Sequence, residues 1–261
     1  PAKDGRRAAF LDGEMVAGYR LQDRFMCLGP ARLRTACIGA VYTRPEFRNQ
    51  GLARALMLDA IDFATANDYD LLLLGGIRDF YPKFGYANIH AVPRMIMQVD
   101  ELPSLKVGGW STRLANEEDA GTMLDLYERF FSQYGGRFER SMAMQRYDLK
   151  LAPPRHRFAI VSDPADVPHG YIMLDDQNRA ATREVVADTW PAMATLLRYH
   201  ADFAGDTDDP STELSWSLSP DSSMAVELIR HLSVKMETNH IHNGGWMARV
   251  ANQERLMGSL P

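Results

Sequence analysis

Two short stretches of this 261-residue sequence hold residues whose types and spacing could do chemistry. The first is Arg48-Asn49-Gln50-Gly51-Leu52-Ala53. It sits between an apolar run at 35–42 and a helical pattern in which Leu52, Leu56, Ala60 and Phe63 share one face. A helix N-terminus carries unsatisfied amides and a positive partial charge. A phosphate docks there if the backbone can come close, which small residues allow. Gly51 and Ala53 are small, and Arg48 adds a cation; a plain glycine-opened helix would carry the same residues. No Gly-Lys-Ser/Thr follows, so this is no Walker loop, and the Gly-x-Gly-x-x-Gly fingerprint is absent. The second stretch is aromatic, Phe80-Tyr81-Pro82-Lys83-Phe84-Gly85-Tyr86, shortly after Gly75-Gly76.

Several elements must position these residues. Residues 8–11 and 15–21 read as strands joined by Asp12-Gly13, a strong hairpin signal. Residues 35–42 read as a buried central strand. Gly51 opens a helix that Asn67-Asp68 stops. Residues 71–74 form a short apolar strand, as expected inside a mixed sheet covered by helices. Residues 78–86 form a turn or short helix, and 91–99 another strand. Pro103, Gly108 and Gly109 mark a boundary near 100–109. Beyond it Asn116 caps a helix to about residue 134. Residues 158–161 and 171–174 read as strands, and Asp188 or Thr189 caps a helix with Pro191 in its first turn. A strand at 213–218, a helix at 224–232 and a final strand at 246–250 follow. The second half thus repeats the α/β (α+β) character of the first, which suggests an internal structural duplication. The predicted fold is a pair of mixed sheets flanked by helices.

The order strand, Arg-x-x-Gly-x-Ala, helix, strand, Phe-Tyr-x-x-Phe-Gly-Tyr closely resembles the coenzyme-A site of the GNAT N-acetyltransferases. The second half, with Arg183-Glu184-Val185-Val186-Ala187, the helix after Pro191, and Gly244-Gly245-Trp246-Met247-Ala248-Arg249-Val250, resembles the second unit of the "enhanced intracellular survival" acetyltransferases. In that group an active GNAT unit precedes a degenerate one and a sterol-carrier-like domain. The resemblance implies tandem GNAT folds: a catalytic domain at 1–103 without its opening elements, a degenerate second unit at 104–261, and no C-terminal sterol-carrier-like domain. With its start at Pro1 and its interrupted end at 257–261, the chain reads as part of a longer protein.

The resemblance also implies an activity, acetyl transfer from acetyl-CoA to a primary amine. It places the pantetheine arm on the backbone of Val41, Tyr42 and Thr43, and the pyrophosphate on the amides of Asn49, Gln50, Gly51, Leu52, Ala53 and Arg54 beside Arg48. Gly76 and Ile77 would face the pantetheine. Ala53 departs from the commoner glycine. Tyr81 matches the family's general acid: a phenol, with an ordinary pKa of about 10, can protonate a departing thiolate, whose ordinary pKa is about 8.5. The alternative for Tyr81 is packing among Phe80, Phe84 and Tyr86. The base of the resembled group is a terminal carboxylate in its third domain, so none is assigned here. The rival to an enzyme is a coenzyme-A-binding or assembly module without turnover. No second Arg-x-x-Gly-x-Ala lies near 175–190.

Composition sets the remaining bounds. With 46% apolar, 10% aromatic and 24% charged residues, disordered and collagen-like classes are excluded. A net charge of −5 argues against a nucleic-acid scaffold and suits a cationic, polyamine-like or aminoglycoside-like acceptor. Two cysteines, Cys27 and Cys37, make no disulfide framework and point to a reducing cytoplasm. No apolar run is long enough to span a membrane. His231, His240 and His242 lack the partners of a metal site, with His240 and His242 expected on a surface strand, so no metal is assigned. There is no nucleophile elbow, Arg6-Arg7 is too short for a nucleic-acid patch, and Asp206-Asp208-Asp209 reads as a solvated loop. A homo-oligomer stays open.

Overall fold

The computed structural model describes residues 5–89, 91–151 and 156–259. They form two compact units. The first comprises the residues up to Ala91, Tyr134–Glu139, and those from His240 on; the second comprises Val92–Gln133 and Arg140–Asn239.

In the first unit, β1 (Gly5–Leu11) and β2 (Glu14–Leu28) form the expected hairpin. Asp12 and Gly13 hold φ of 50° and 82° in its turn, the left-handed pair that an Asp-Gly turn supplies. β2 pairs antiparallel with β3 (Ala31–Thr43). Both strands run well beyond 15–21 and 35–42. The extension is charged, which hides its period in the sequence. Its charges find partners: Arg34 meets Asp23 at 2.8 Å and Arg32 meets Glu139 at 2.6 Å.

Helix α1 (Leu52–Ala66) carries the chain from β3 to β4 (Leu71–Gly76), which lies parallel to β3. Parallel neighbours need such a crossover. α1 buries Leu56, Met57, Ala60 and Ala64. On its flank Asp59 accepts from Arg7 at 2.6 and 2.5 Å and from the Tyr19 hydroxyl at 2.8 Å, fastening the helix to β1 and β2. Strand β5 (Ala87–Asn88) follows.

β6 (Val92–Gln98) starts the second unit, followed by β7 (Ser111–Leu114) and α2 (Ala120–Phe131). The short β8 (Arg137–Phe138) pairs with β2 in the first unit. Then come α3 (Met142–Leu151), β9 (His156–Ser162), β10 (Pro168–Asp175), β11 (Asn178–Ala187), α4 (Trp190–Gly205), β12 (Glu213–Trp216), α5 (Ser223–His231) and β13 (Val234–Asn239). The chain ends with β14 (Gly245–Val250) and α6 (Gln253–Ser259). Asn116 makes a capping box ahead of α2, and Thr189 rather than Asp188 caps α4. α2 stops at Phe131, short of residue 134.

The first sheet has the order β1-β2-β3-β4-β14-β5, with β8 beside β2; the second has the order β13-β6-β12-β11-β10-β9-β7. Each is a mixed sheet with an antiparallel meander, a helix, and a parallel strand: β1-β2-β3-α1-β4 in one, β9-β10-β11-α4-β12 in the other. The duplication expected from the order of elements is present in this repeated topology.

Two placements differ from the sequence reading. A cut at residue 103 does not separate the sheets, because β6 pairs with β12 in the second while β14 pairs with β4 in the first. The last strand, expected in the second half, therefore completes the first sheet. Neighbour pairing across 170 residues leaves no local trace in composition. His240 and His242 are not on a strand: β13 ends at Asn239, and both lie in the connection to β14. Cys27 and Cys37 are not joined by a disulfide. Among the described residues, no three His, Cys, Asp or Glu side chains converge on a metal position, and no helix is long and apolar enough to cross a membrane.

Candidate functional site

The β3–β4 ladder runs from Thr35–Leu71 to Ile38–Leu74 and stops, although β3 continues to Thr43. Opposite β2 the register shifts between Gly18 and Arg20, where β3 carries one residue more. Ala40 sits in that bulge at φ 49°. Bulges bend a strand and end pairing. Val41, Tyr42 and Thr43 are thus the end of a strand that has left its parallel neighbour. Tyr42 is exposed, Val41 and Thr43 half-buried.

A single turn of 3₁₀ helix, Pro45–Phe47, leads from there to α1. Arg48 Nε donates to the Thr43 carbonyl at 3.3 Å, and Gln50 Nε2 donates to the Glu46 carbonyl at 3.3 Å. Asn49 and Gly51 have φ of 60° and 84°, so the backbone reverses twice on small or amide-bearing residues. Gly51 is the N-cap of α1 and provides no side-chain cap. The Ala55 amide donates to the Gly51 carbonyl at 3.0 Å, which starts the helical ladder and leaves the amides of Leu52, Ala53 and Arg54 without intrahelical acceptors. No atom lies within 4 Å of where a Cβ on Gly51 would stand. Arg44 is occupied by Glu14 and Glu46 at 2.6 and 2.8 Å. Arg48 and Arg54 are exposed, and among the described residues neither has an ion pair.

At the end of β4, Gly76 lies under the ring of Tyr81. A Cβ there would come within 2.8 Å of Tyr81 Cδ2 and 2.9 Å of Met247 Sδ. Ile77, next along, is 67% exposed. Tyr81–Phe84 is a short 3₁₀ turn closed by Gly85 at φ 77°. The Tyr81 ring packs edge-on against Phe80, centroids 5.0 Å apart, and against Tyr86 at 6.0 Å. Burial pushes the Tyr81 phenol above its usual pKa, so it stays protonated at neutral pH. No hydrogen bond to its hydroxyl is present among the described residues.

The structure therefore brings the sequence-nominated residues into three groups on the first unit. They are the end of β3, the N-terminus of α1, and the pair of Gly76 and Tyr81 after β4. Sequence reasoning missed two neighbours, Met247 and Arg249 on β14. Arg249 Nη1 donates to the Phe84 carbonyl at 2.5 Å. No spacing signal could have linked residue 249 to residue 84.

Residues 3–89 match the family model described as acetyltransferase (GNAT) domain. No curated protein sequence matches the chain. Among solved structures, a GCN5-related N-acetyltransferase from Kribbella flavida superposes with a TM-score of 0.69 at 20% identity, over 94% of this chain and 60% of that one. Eis1 from Mycobacterium abscessus gives 0.64 at 17% identity, over 97% and 66%. A tandem GNAT protein from the clavulanic acid biosynthesis pathway gives 0.58 at 16% identity, over 96% and 84%. The chain spans less than two thirds of the length of the first two. At such identities the likeness is one of fold. The match to a GNAT acetyltransferase domain thus covers residues 3–89, in a chain whose fold over nearly its whole length is shared with a tandem GNAT protein.

Proposed function

We propose that the chain binds acetyl-CoA on its first unit and transfers the acetyl group to a primary amine. The observation that carries this reading is the N-terminus of α1: an uncapped, glycine-opened turn with free amides, open space in front, and two exposed arginines, Arg48 and Arg54, with no ion pair among the described residues. Those features fit a pyrophosphate, which needs close backbone approach and positive potential. Val41, Tyr42 and Thr43, where β3 has left β4, would hold the pantetheine through backbone groups, and Gly76 and Ile77 would face it. Acetyl-CoA supplies an activated thioester.

The protein's own contribution is to orient that thioester and to hold a proton near it. A protonated, buried phenol with no hydrogen-bond partner among the described residues suits Tyr81 to donate its proton to the thiolate expelled when the amine attacks. The amine must shed a proton too, and no residue here is assigned to take it. The domain division enters the same reading: the first unit is catalytic and the second serves as scaffold. A cytoplasmic setting and a cationic acceptor fit the cysteine usage and the net charge of −5.

Titration with coenzyme A by calorimetry tests the reading. Gly51→Glu puts a carboxylate beside the phosphate position and a side chain on a left-handed backbone. It should weaken binding at least about tenfold, or 1.4 kcal/mol. Unchanged affinity would remove the phosphate assignment. Binding without thiol release from acetyl-CoA, across a panel of amines, would leave a binding module instead.

A further inference from the structure

The turn that carries Tyr81 is short, and 3₁₀ geometry gives it little stability of its own. Within the turn region, the Gly85 amide donates to the Pro82 carbonyl at 3.0 Å and the Tyr86 amide to the Tyr81 carbonyl at 3.4 Å. The Phe84 carbonyl, left over at the C-terminal end, is taken by Arg249 Nη1 at 2.5 Å. Charge-assisted bonds of this kind are among the stronger ones. The guanidinium lies directly against the α-carbon of Gly85, where a Cβ would collide with Nη1. Gly85 is therefore needed twice, for its positive φ and for the approach of Arg249. Next along the chain is Tyr86, 3% exposed, whose hydroxyl is buried without a hydrogen bond among the described residues, as is Arg249 Nε. Two unpaired buried polar atoms cost stability, and a strand chosen for packing alone would avoid them.

We propose that Arg249 is a positioning residue for Tyr81: from β14, outside residues 3–89, it fastens the Phe84–Gly85 end of the turn and thereby fixes the phenol beside Gly76. This rests on the reading of Tyr81 as the proton donor. β14 also supplies Met247, whose sulfur flanks the same glycine. The acid's position is thus set by the far end of the chain.

The test uses the full chain labelled with ring-¹³C tyrosine, Tyr81→Phe serving to identify the Tyr81 signal. In the parent, the Tyr81 phenol should titrate above its ordinary value. In Arg249→Met the turn loosens, water reaches the ring, and the midpoint should fall back towards the ordinary phenol value. With acetyl-CoA and an active amine, kcat should drop about tenfold or more, with the KM for acetyl-CoA within about twofold of the parent. Arg249→Lys, which keeps the charge, should recover part of the loss. It also decides the matter if Arg249→Met does not fold. A folded Arg249 variant with an unmoved Tyr81 signal overturns the proposal. Full turnover by Tyr81→Phe would instead remove the acid role, while the Tyr81 midpoint would still report whether Arg249 holds the turn.

Discussion

Tyr81 and Gly76 are matched by shape. The ring lies so close over Gly76 that any Cβ would fall inside contact distance of Tyr81 and Met247. Gly76→Ala should therefore push the ring outward and cost about 1–3 kcal/mol by overpacking. Chemical denaturation would read the stability, and thiol release the accompanying fall in turnover; a variant as stable and active as the parent would show that the ring has slack. Tyr81→Phe makes the opposite kind of change. The hydroxyl has no hydrogen bond among the described residues, so its loss should leave stability and coenzyme-A affinity nearly intact, while kcat falls about 10²-fold if it is the proton donor. Equal rates for the two proteins would return Tyr81 to packing. At this scale the sequence was most informative. Arg48 and Gly51 are legible because phosphate docking demands particular residue types at short spacing, whereas Gly76 and Tyr81 follow from the resemblance to the GNAT coenzyme-A site. Arg249 was invisible for the converse reason: an arginine that donates to a backbone carbonyl needs no particular residue opposite it.

Elements were legible where pattern and punctuation agreed. The Asp12-Gly13 hairpin, the glycine-opened α1 and the cap at Asn116 form as read, and of the two candidate caps for α4 it is Thr189 that serves, with Pro191 in the first turn. The long hairpin of β2 and β3 was half missed, since its outer part trades apolar alternation for ion pairs such as Asp23–Arg34. β11 and β13 were missed for a related reason, both being rich in charged and small polar residues. Helix α2 buries Phe130, which packs edge-on against Phe131 with centroids 4.9 Å apart. Phe130→Ala should cost about 3–5 kcal/mol without altering cofactor affinity in the folded fraction. Helix α4 carries a different device. His200 is fully buried, accepts from Trp216 Nε1 at 3.0 Å, and meets the Arg179 carbonyl at 2.8 Å through its other nitrogen. It joins α4 to β11 and β12 as a neutral imidazole, and burial pushes its pKa down to about 4. The unfolded chain, with an ordinary histidine value of 6.5, then binds the proton more readily. The stabilisation is complete above pH 6.5 and is lost as pH falls towards 4, in total about 3 kcal/mol. Denaturant midpoints across that range should fall for the parent and stay flatter for His200→Gln; parallel curves would contradict this account.

At the level of the whole chain the two units repeat one topology, yet each takes the strand beyond its parallel pair from a distant part of the sequence: β14 beside β4, β6 beside β12. Domain limits read from linkers could not anticipate that, since Pro103 and the Gly108-Gly109 pair mark a loop and carry no information about strand partners. The same repeat makes the units' difference testable. In the first, α1 starts at Gly51 with no side-chain cap and three free amides. In the second, the corresponding helix α4 starts at Thr189, whose Oγ1 takes the Ala192 amide at 3.4 Å. Pro191 stands where α1 has Ala53 and has no N–H to offer. Of the three orphan amides that make α1 an anion site, one is thus consumed and one deleted in α4. Coenzyme A should bind once per chain. The measurement belongs on the intact protein, because a piece ending near residue 103 would lack β14 and expose the edge of β4. Calorimetry of the full chain should give a stoichiometry near one, with an affinity weakened at least about tenfold by Gly51→Glu and unaffected by Thr189→Ala. A second binding event that survives Gly51→Glu would place a cofactor on the second unit and overturn its reading as scaffold.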